Sequence, residues 1–515
     1  MRMRKGINSF MKWYLGQRYK GILHFMRHPH KVQAALLTQF LQTNKHTEWG
    51  RLHDFKKIKT PQDFANNVPI QDYESLKPYI ERMMNGEKDI LWSGQVNWYS
   101  KSSGTTNDKS KFIPITNENM KRCHIKGTWD TMSIIYHNLP NARQFECKTL
   151  LLAGSVEQYE PYPKSQYGDV SAIMVTHMPW IARPFFTPDF ETALMDEWEE
   201  KIEKTARIIS QDQEMVMIGG VPTWMIVLFR KILEITGKEN ILEVWPNLQV
   251  ITHGGVNFEP YRNQYQKFLP GNQVKYFEIY NASEGYFGIQ HDLDKNDMLL
   301  LLNNGSYYEF IPSDQWNDSN PIAMPLSEVE IGQDYAMVVT TNSGLWRYKI
   351  GDTIRFTSTN PYRIQITGRT NQFINAFGEE VMVTNTDQAV AKTCEQMNAI
   401  VNDYTVAPIY FSGNGKGGHQ WLLEFEKAPR NIPLFRRTLD KNLQAINSDY
   451  EAKRYKSMAL NELKLTVLPY GTFHDWLRSK GKYGRQNKVP RLANNRKYVD
   501  EILGFLSSST EHQIV

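Results

Sequence analysis

The sequence predicts an α/β protein: a large N-terminal domain of mixed sheets and helices with a barrel-like β subdomain, followed by a small α+β C-terminal domain. Three observations predict it. Short apolar runs that close on glycine alternate with helical stretches as far as Tyr280, residues 298–375 turn to closely spaced alternating strands, and helices return past Arg369. These changes place a boundary close to Arg369–Gly378 and domains at 1–371 and 372–515. With 515 residues and 41% apolar content, the chain is too long for one ordinary core and has ample material for two or three.

In order, residues 7–48 carry apolar positions at helical spacing (Phe10, Trp13, Tyr14, then Ala35, Leu36, Phe40, Leu41), broken at His28-Pro29-His30, which reads as a helix-boundary turn rather than a ligand pair. Thr60-Pro61 signals a helix start. Gln95–Ser100 alternates as a strand, and Glu118–Tyr136 reads as a helix. Lys148–Gly154, Val216–Gly220, Leu248–Gly255 and Val274–Tyr280 read as buried strands, the first three running into glycine. A charged helix is expected over Phe190–Ser210 and an apolar one from Thr223. In the C-terminal part, helices are expected over Thr386–Asn398 and Ile432–Ile446, and strands over Tyr404–Phe411, Gln420–Phe425 and Glu462–Val467.

Sixty Lys and Arg against 55 Asp and Glu leave a net charge of +5, too mild at this length to demand nucleic acid or an anionic membrane. Cys123, Cys147 and Cys394 stand far apart with no CxxC pair, so neither a zinc site nor a disulfide framework is expected, and a reducing cytoplasmic setting fits. The longest apolar runs, Trp224–Phe229 and Met298–Leu302, are far short of a membrane span.

The densest chemistry lies in Tyr99–Ile115, where Ser102, Ser103, Thr105 and Thr106 surround Gly104 and are followed by Lys109 and Lys111. Hydroxyls and backbone N–H groups in a tight turn aim several donors at one place, and an ammonium adds a point charge, so the stretch suits phosphate; a plain solvated loop has the same composition. It is not a Walker A loop, because its order is reversed. Asn281-Ala282-Ser283-Glu284-Gly285 follows a strand, where Glu284 is either a carboxylate for a divalent cation beside the phosphates or part of a helix start at Ser283. Asp352 after Gly351 suits paired ribose hydroxyls or a turn, and Arg369 suits a phosphate or a surface carboxylate. Residues 478–497 hold eight Lys and Arg and no acid, which reads as a solvated face, a nucleic-acid patch, or a loop that carries a lysine into an active site.

Ser102–Thr106 with Lys111, Gly220–Trp224, Tyr280–Glu284, Gly344–Asp352 and Lys488–Arg491 resemble, in order and spacing, the acyl acid amido synthetases. This is the family of the plant auxin-responsive enzymes that conjugate indole-acetate and jasmonate to amino acids, a branch of the adenylate-forming superfamily. The resemblance runs from about residue 33 to about residue 505. It implies a ligase that uses ATP and Mg2+ to convert a small carboxylic acid to an acyl-adenylate and passes the acyl group to an amino acid amine. By resemblance, Ser102, Ser103, Gly104, Thr105, Thr106 and Lys111 hold the phosphates, Glu284 binds Mg2+, Tyr280 lies against adenine and Asp352 takes the ribose. Arg369 contacts ribose or α-phosphate beside a hinge, Lys488 comes from the mobile domain, and Gly254, Gly255, Asn281 and Ser283 complete the nucleotide site.

Two departures from the family pattern stand out: Asn107-Asp108 occupies a place where the plant loop commonly has glycine, and Asn281-Ala282 replaces small or hydroxyl residues. For the acyl pocket the expectation is Met174, Trp180, Phe185 and Trp224, each of which would serve equally as ordinary core. Alternatives are an acyl-CoA synthetase with the same first half-reaction, and a nucleic-acid-binding protein using 478–497. The expected assembly is a monomer or weak homodimer without membrane contact.

Overall fold

The computed structural model of the chain describes residues 2–103, 110–150, 152–256, 258, 261–316, 318, 320–370, 373–411, 416–455, 460–480 and 489–511. Helices Arg2–Arg27 and Pro29–Asn44 open it, with Pro29 at the first helical position of the second. Thr60 and Asp63 exchange side-chain and backbone hydrogen bonds in a capping box that starts helix Pro61–Asn67.

Among the described residues, one twelve-stranded sheet runs through the large domain. Its parallel part, in spatial order, is Phe186–Thr187, Lys148–Leu150, Met215–Gly220, Val250–His253 and Lys275–Ala282. Antiparallel strands Gly285–Ile289, Met298–Leu300, Tyr362–Arg369, Tyr348–Thr359, Asp334–Thr341, Ser306–Pro312 and Met324–Pro325 continue it. The strands expected to form a barrel-like subdomain are therefore antiparallel, as their alternation implies, but joined edge to edge with the parallel ones. Val250–His253 is buried at every position, as a parallel strand covered on both faces must be. A smaller sheet holds Ser110–Ile115, Trp98–Ser103, Gln166–Gly168 and Val156–Gln158 in that order.

Two expected elements differ. The run Phe190–Ser210 is two helices, Phe190–Ala193 and Trp198–Ile209, because Leu194 caps the first and Glu197 turns to extended backbone before the second. The strand expected over Lys148–Gly154 is Lys148–Leu150, after which residues 152–154 leave the sheet.

Past Val381–Met382, a three-stranded sheet of Ile400–Ile409, Gly418–Lys427 and Lys464–Leu468 packs with helices Val383–Met397 and Ile432–Ile446. The same apolar core runs from Met225 and Phe229 of helix Pro222–Thr236 through Ile374 and Phe377 to Trp421 and Leu439. The carboxyl ends of the parallel strands Met215–Gly220, Val250–His253 and Lys275–Ala282 thus open toward the junction between the two parts, the edge at which α/β sheets place ligands.

Candidate functional site

A cavity of about 1410 Å3 lies at that edge. Strand Lys275–Ala282 turns directly into Gly285–Ile289 with Ala282 paired to Gly285, so Ser283 and Glu284 are the two residues of a β-hairpin turn. The helix start considered for Ser283 does not occur: Gly285 has no room for a side chain, with Phe287 2.8 Å from its would-be Cβ, and its strand is buried throughout. The turn drives Glu284 into the interior at 6% exposure, while Ser100 donates a 2.8 Å hydrogen bond to the Ser283 hydroxyl and ties the turn to the strand before the hydroxyl loop. Lys111, at 9% exposure, lies on the return strand Ser110–Ile115, 5.8 Å from the Tyr73 ring. Burial pushes the Glu284 carboxyl up, opposed by the Lys111 charge, and pushes the Lys111 ammonium down, opposed by Glu284.

Across the cavity Asp352 and Arg369 face each other on adjacent antiparallel strands. Arg369 Nε donates to Asp352 Oδ1 at 2.7 Å, Tyr280 Oη donates to Asp352 Oδ2 at 2.5 Å, and an Arg369 amino group lies 3.8 Å from Glu380. Burial disfavours the Arg369 charge, but the Asp352 and Glu380 carboxylates outweigh it and hold the guanidinium protonated. Burial first, and then the Asp352 charge, push the Tyr280 phenol far up, so its proton stays on the bond to Asp352. A carboxylate has about four lone-pair positions, so two on Asp352 remain for a ligand.

The cavity is lined by Ser102, Gly255, Tyr280, Asn281, Ser283, Glu284, Asp352, Arg369 and Trp224. Gly254 lies beneath them, where a Cβ would sit 2.3 Å from the Ile279 carbonyl oxygen, and Gly255 takes φ +83°, so both positions require glycine. Ser103 pairs with Ser110 to close the hairpin around the loop. Gly104, Thr105, Thr106 and Lys488 lie outside the described residues. Among the described residues no three acidic, His or Cys side chains cluster as a metal cage. A lone buried carboxylate still suits Mg2+, which is commonly held by one or two carboxylates with substrate phosphates and water completing its shell.

The acyl-pocket expectations divide. Met174 Sδ lies 4.0 Å from the Asn281 amide nitrogen and Trp224 lines the cavity, but Trp180 is 79% exposed and Phe185 packs edge-on against Phe145 at 5.8 Å. Of the four only Trp224 lines the cavity; Met174 touches the lining residue Asn281, and Trp180 and Phe185 lie away from it. Trp180 sits in a turn with nothing to cover it, and aromatic identity alone gives no sign of that. His124 is a residue that sequence reasoning missed. It ends a π-helical turn, Met120–His124, is fully buried, and has neither ring nitrogen hydrogen-bonded among the described residues. Burial pushes it down to about 4, against a smaller upward pull from Asn281, so it is neutral at physiological pH.

The basic stretch is less free than its composition implies. Lys480 pairs with Glu501 at 2.8 Å, Arg496 with Asp500 at 2.7 Å, and Arg491 with Asp387 while lying 5.0 Å from the Tyr404 ring centre. No helix among the described residues is long and apolar enough to cross a membrane.

The fold is shared with solved ligases. A structure titled GH3.15 acyl acid amido synthetase matches with a TM-score of 0.59 at 17% identity over 92% of this chain and 93% of that one. A 2-hydroxyisobutyryl-CoA ligase bound to its acyl-AMP and CoA matches with 0.56 at 14% over 93% and 92%. Within that class the chain belongs to the GH3 family: the family's N-terminal domain matches residues 18–192 and 157–274, its central domain 299–369 and its C-terminal domain 384–497. Relatives include the jasmonoyl-L-amino acid synthetase JAR4 of Nicotiana attenuata, 24% identical over 93% of each chain. The indole-3-acetic acid-amido synthetase GH3.4 of Arabidopsis thaliana is also 24% identical, over 92% of this chain and 91% of that one.

Proposed function

We propose that the protein is an ATP-dependent acyl acid-amido synthetase, which adenylates a small carboxylic acid and transfers the acyl group to an amino acid. The observation that carries this reading is the gathering of Glu284, Tyr280, Asp352 and Arg369 at one cavity on the carboxyl edge of the sheet, with buried Lys111 coupled electrostatically to Glu284, in a chain of a family whose matched relatives bear amino acid- and amido-synthetase names. In the first half-reaction an oxygen of the acid attacks the α-phosphorus, and the bond to the β,γ-phosphates breaks to release pyrophosphate. In the second the amine nitrogen attacks the acyl carbon, the bond to AMP breaks, AMP leaves with the electron pair, and the amine sheds its proton to solvent.

Each residue has a task in this scheme. Asp352 offers its two remaining lone-pair positions to the ribose hydroxyls, while Arg369 and Tyr280 fix the orientation of its carboxylate. Lys111, whose charge burial penalises, regains that cost when phosphate arrives. Glu284 would hold Mg2+, which when bound supplies charge neutralisation on the triphosphate. Ser102 and the loop 103–109 supply hydroxyl and N–H donors. Asn281 borders the nucleotide, Met174 beside it faces the acid, and Lys488 is supplied by the C-terminal domain, which turns at a hinge next to Arg369 between half-reactions. Free thiols at Cys123, Cys147 and Cys394 suit a reducing cytoplasm.

The test is pyrophosphate release from ATP and Mg2+ with pooled aromatic, fatty and benzoic-type acids, with products read by mass. Acid-dependent release that Lys111→Ala and Glu284→Ala each abolish, with an amide product once amino acids are added, is the expected result. A coenzyme A thioester in its place would move the protein to the acyl-CoA synthetases.

A further inference from the structure

Lys453 belongs to the C-terminal part but lines the cavity of the large domain. It lies on the short helix Ser448–Arg454, which is held rigidly from behind. Asp440, buried at 3% exposure, accepts from Tyr450 Oη at 2.7 Å and from the Arg454 guanidinium at 2.7 Å, and Asn447 caps the helix by accepting from the Tyr450 backbone N–H at 2.7 Å. Tyr450 and Arg454, on either side of Lys453 along the helix, are therefore anchored to Asp440, which fixes the backbone that carries Lys453.

Its ammonium lies 4.5 Å from the Trp224 ring centre and has neither a hydrogen bond nor an ion pair among the described residues. Room for its stem depends on Gly378, at φ +86°, whose would-be Cβ is 3.3 Å from Lys453 Cε. Burial pushes its pKa down, against the pull of Asp449, Glu379, Asp169 and Glu380. A cation desolvated without a hydrogen-bonding partner is costly unless a ligand supplies one. An anion is the ligand that does so, and the wall selects which anion. Asp169, Glu380 and Asp449 line the same cavity, so a polyphosphate would meet carboxylates beside the lysine. A zwitterion would not: its carboxylate takes the lysine and its ammonium finds Asp169, which burial and Lys453 already hold in tension.

We propose that Lys453, backed by Trp224, binds the α-carboxylate of the acceptor amino acid in the amide-forming step. The inference rests on the amido synthetase reading above. It makes the acceptor site a joint product of both parts of the chain, because Trp224 follows strand Met215–Gly220 while Lys453 comes from beyond Val381. An amine lacking the carboxylate gains nothing from the lysine.

The test compares wild type, Lys453→Met and Lys453→Arg in the full chain, using the acid and amino acid that give the most product, and the same amino acid as its carboxamide. Lys453→Met should raise KM for the amino acid by about tenfold or more, the size of one lost charge-assisted hydrogen bond. KM for the carboxamide and acid-dependent pyrophosphate release without acceptor should stay at wild-type values, and Lys453→Arg should recover part of the loss. An equal change in KM for amino acid and carboxamide, or no change in either, overturns the assignment while leaving the amido synthetase reading intact. If the wild type releases pyrophosphate but forms no amide with any amino acid, both fall together. If Lys453→Met disturbs pyrophosphate release through misfolding, the amino acid-to-carboxamide ratio in Lys453→Arg decides: a ratio lowered from wild type supports the assignment and an unchanged ratio refutes it.

Discussion

Replacing Asp352 by Asn changes one atom and should remove most of the hold on the nucleotide. The carboxylate accepts from Arg369 Nε at 2.7 Å and from Tyr280 Oη at 2.5 Å, which leaves two lone-pair positions for ribose. An amide can satisfy Arg369 with its oxygen, but its NH2 then faces a phenol whose proton has lost its acceptor, and the charge that strengthened both ribose contacts is gone. Hydrogen bonds to charged groups contribute about 1.5–3 kcal/mol each, so losing the better part of two costs about 3 kcal/mol. At about 1.4 kcal/mol per decade that is about a 150-fold fall in kcat/KM for ATP. The assay is steady-state pyrophosphate release at varied ATP with saturating acid, repeated at varied acid with saturating ATP. The fall should appear against ATP, with KM for the acid within about threefold of wild type. Unaltered kcat/KM for ATP in a folded Asp352→Asn protein would refute the ribose assignment, and a loss confined to the acid would move Asp352 to the acyl side.

Two further predictions concern stability. Burial raises the folded pKa of Glu284 above its unfolded value, so the stability this residue lends is complete below the unfolded pKa, near 4.5, and is lost as pH rises through the folded value. Glu284→Gln should therefore gain on wild type in urea midpoint between pH 5 and pH 8 while losing activity, and a gap that narrows as pH rises would contradict the burial argument. Arg347 holds Glu309 bidentately at 2.9 Å on both arms, with the pair 6% and 5% exposed, so Glu309→Ala should destabilise the fold by about 3–5 kcal/mol in chemical denaturation. Glu309→Gln, which keeps an acceptor, should cost less, and equal losses in the two variants would show that packing rather than the ion pair matters.

Much of the fold is legible because the signals are local. Thr60-Pro61 and the Asp63 that completes the capping box sit within four residues, and Pro222 and Gly237 bracket a helix by backbone preference alone. Strand ends on Gly220 and Gly254-Gly255 are legible for the same reason, and they lead to the right edge of the sheet. What fails is what depends on distant partners. Whether Ser283-Glu284 caps a helix or turns a hairpin is decided by the pairing of Gly285–Ile289 with the strand before it. At the site, the residue types of Lys111, Glu284, Asp352 and Arg369 carry their chemistry openly. Lys453 does not, because an unpaired lysine on a seven-residue helix is ordinary until the fold sets it against Trp224. His124 and Trp180 err in opposite directions, a histidine with no visible motif that is fully buried and a tryptophan that looks like a pocket wall but is exposed.

If the acid passes through an acyl-adenylate, one of its carboxylate oxygens must leave with AMP. Incubation of the protein with ATP, Mg2+, an amino acid and the active acid labelled with 18O in both carboxylate oxygens should give AMP that carries one 18O and an amide that carries the other. AMP without label, or label recovered in inorganic phosphate alongside ADP, would mean that the acid never attacks the α-phosphorus and would contradict the account.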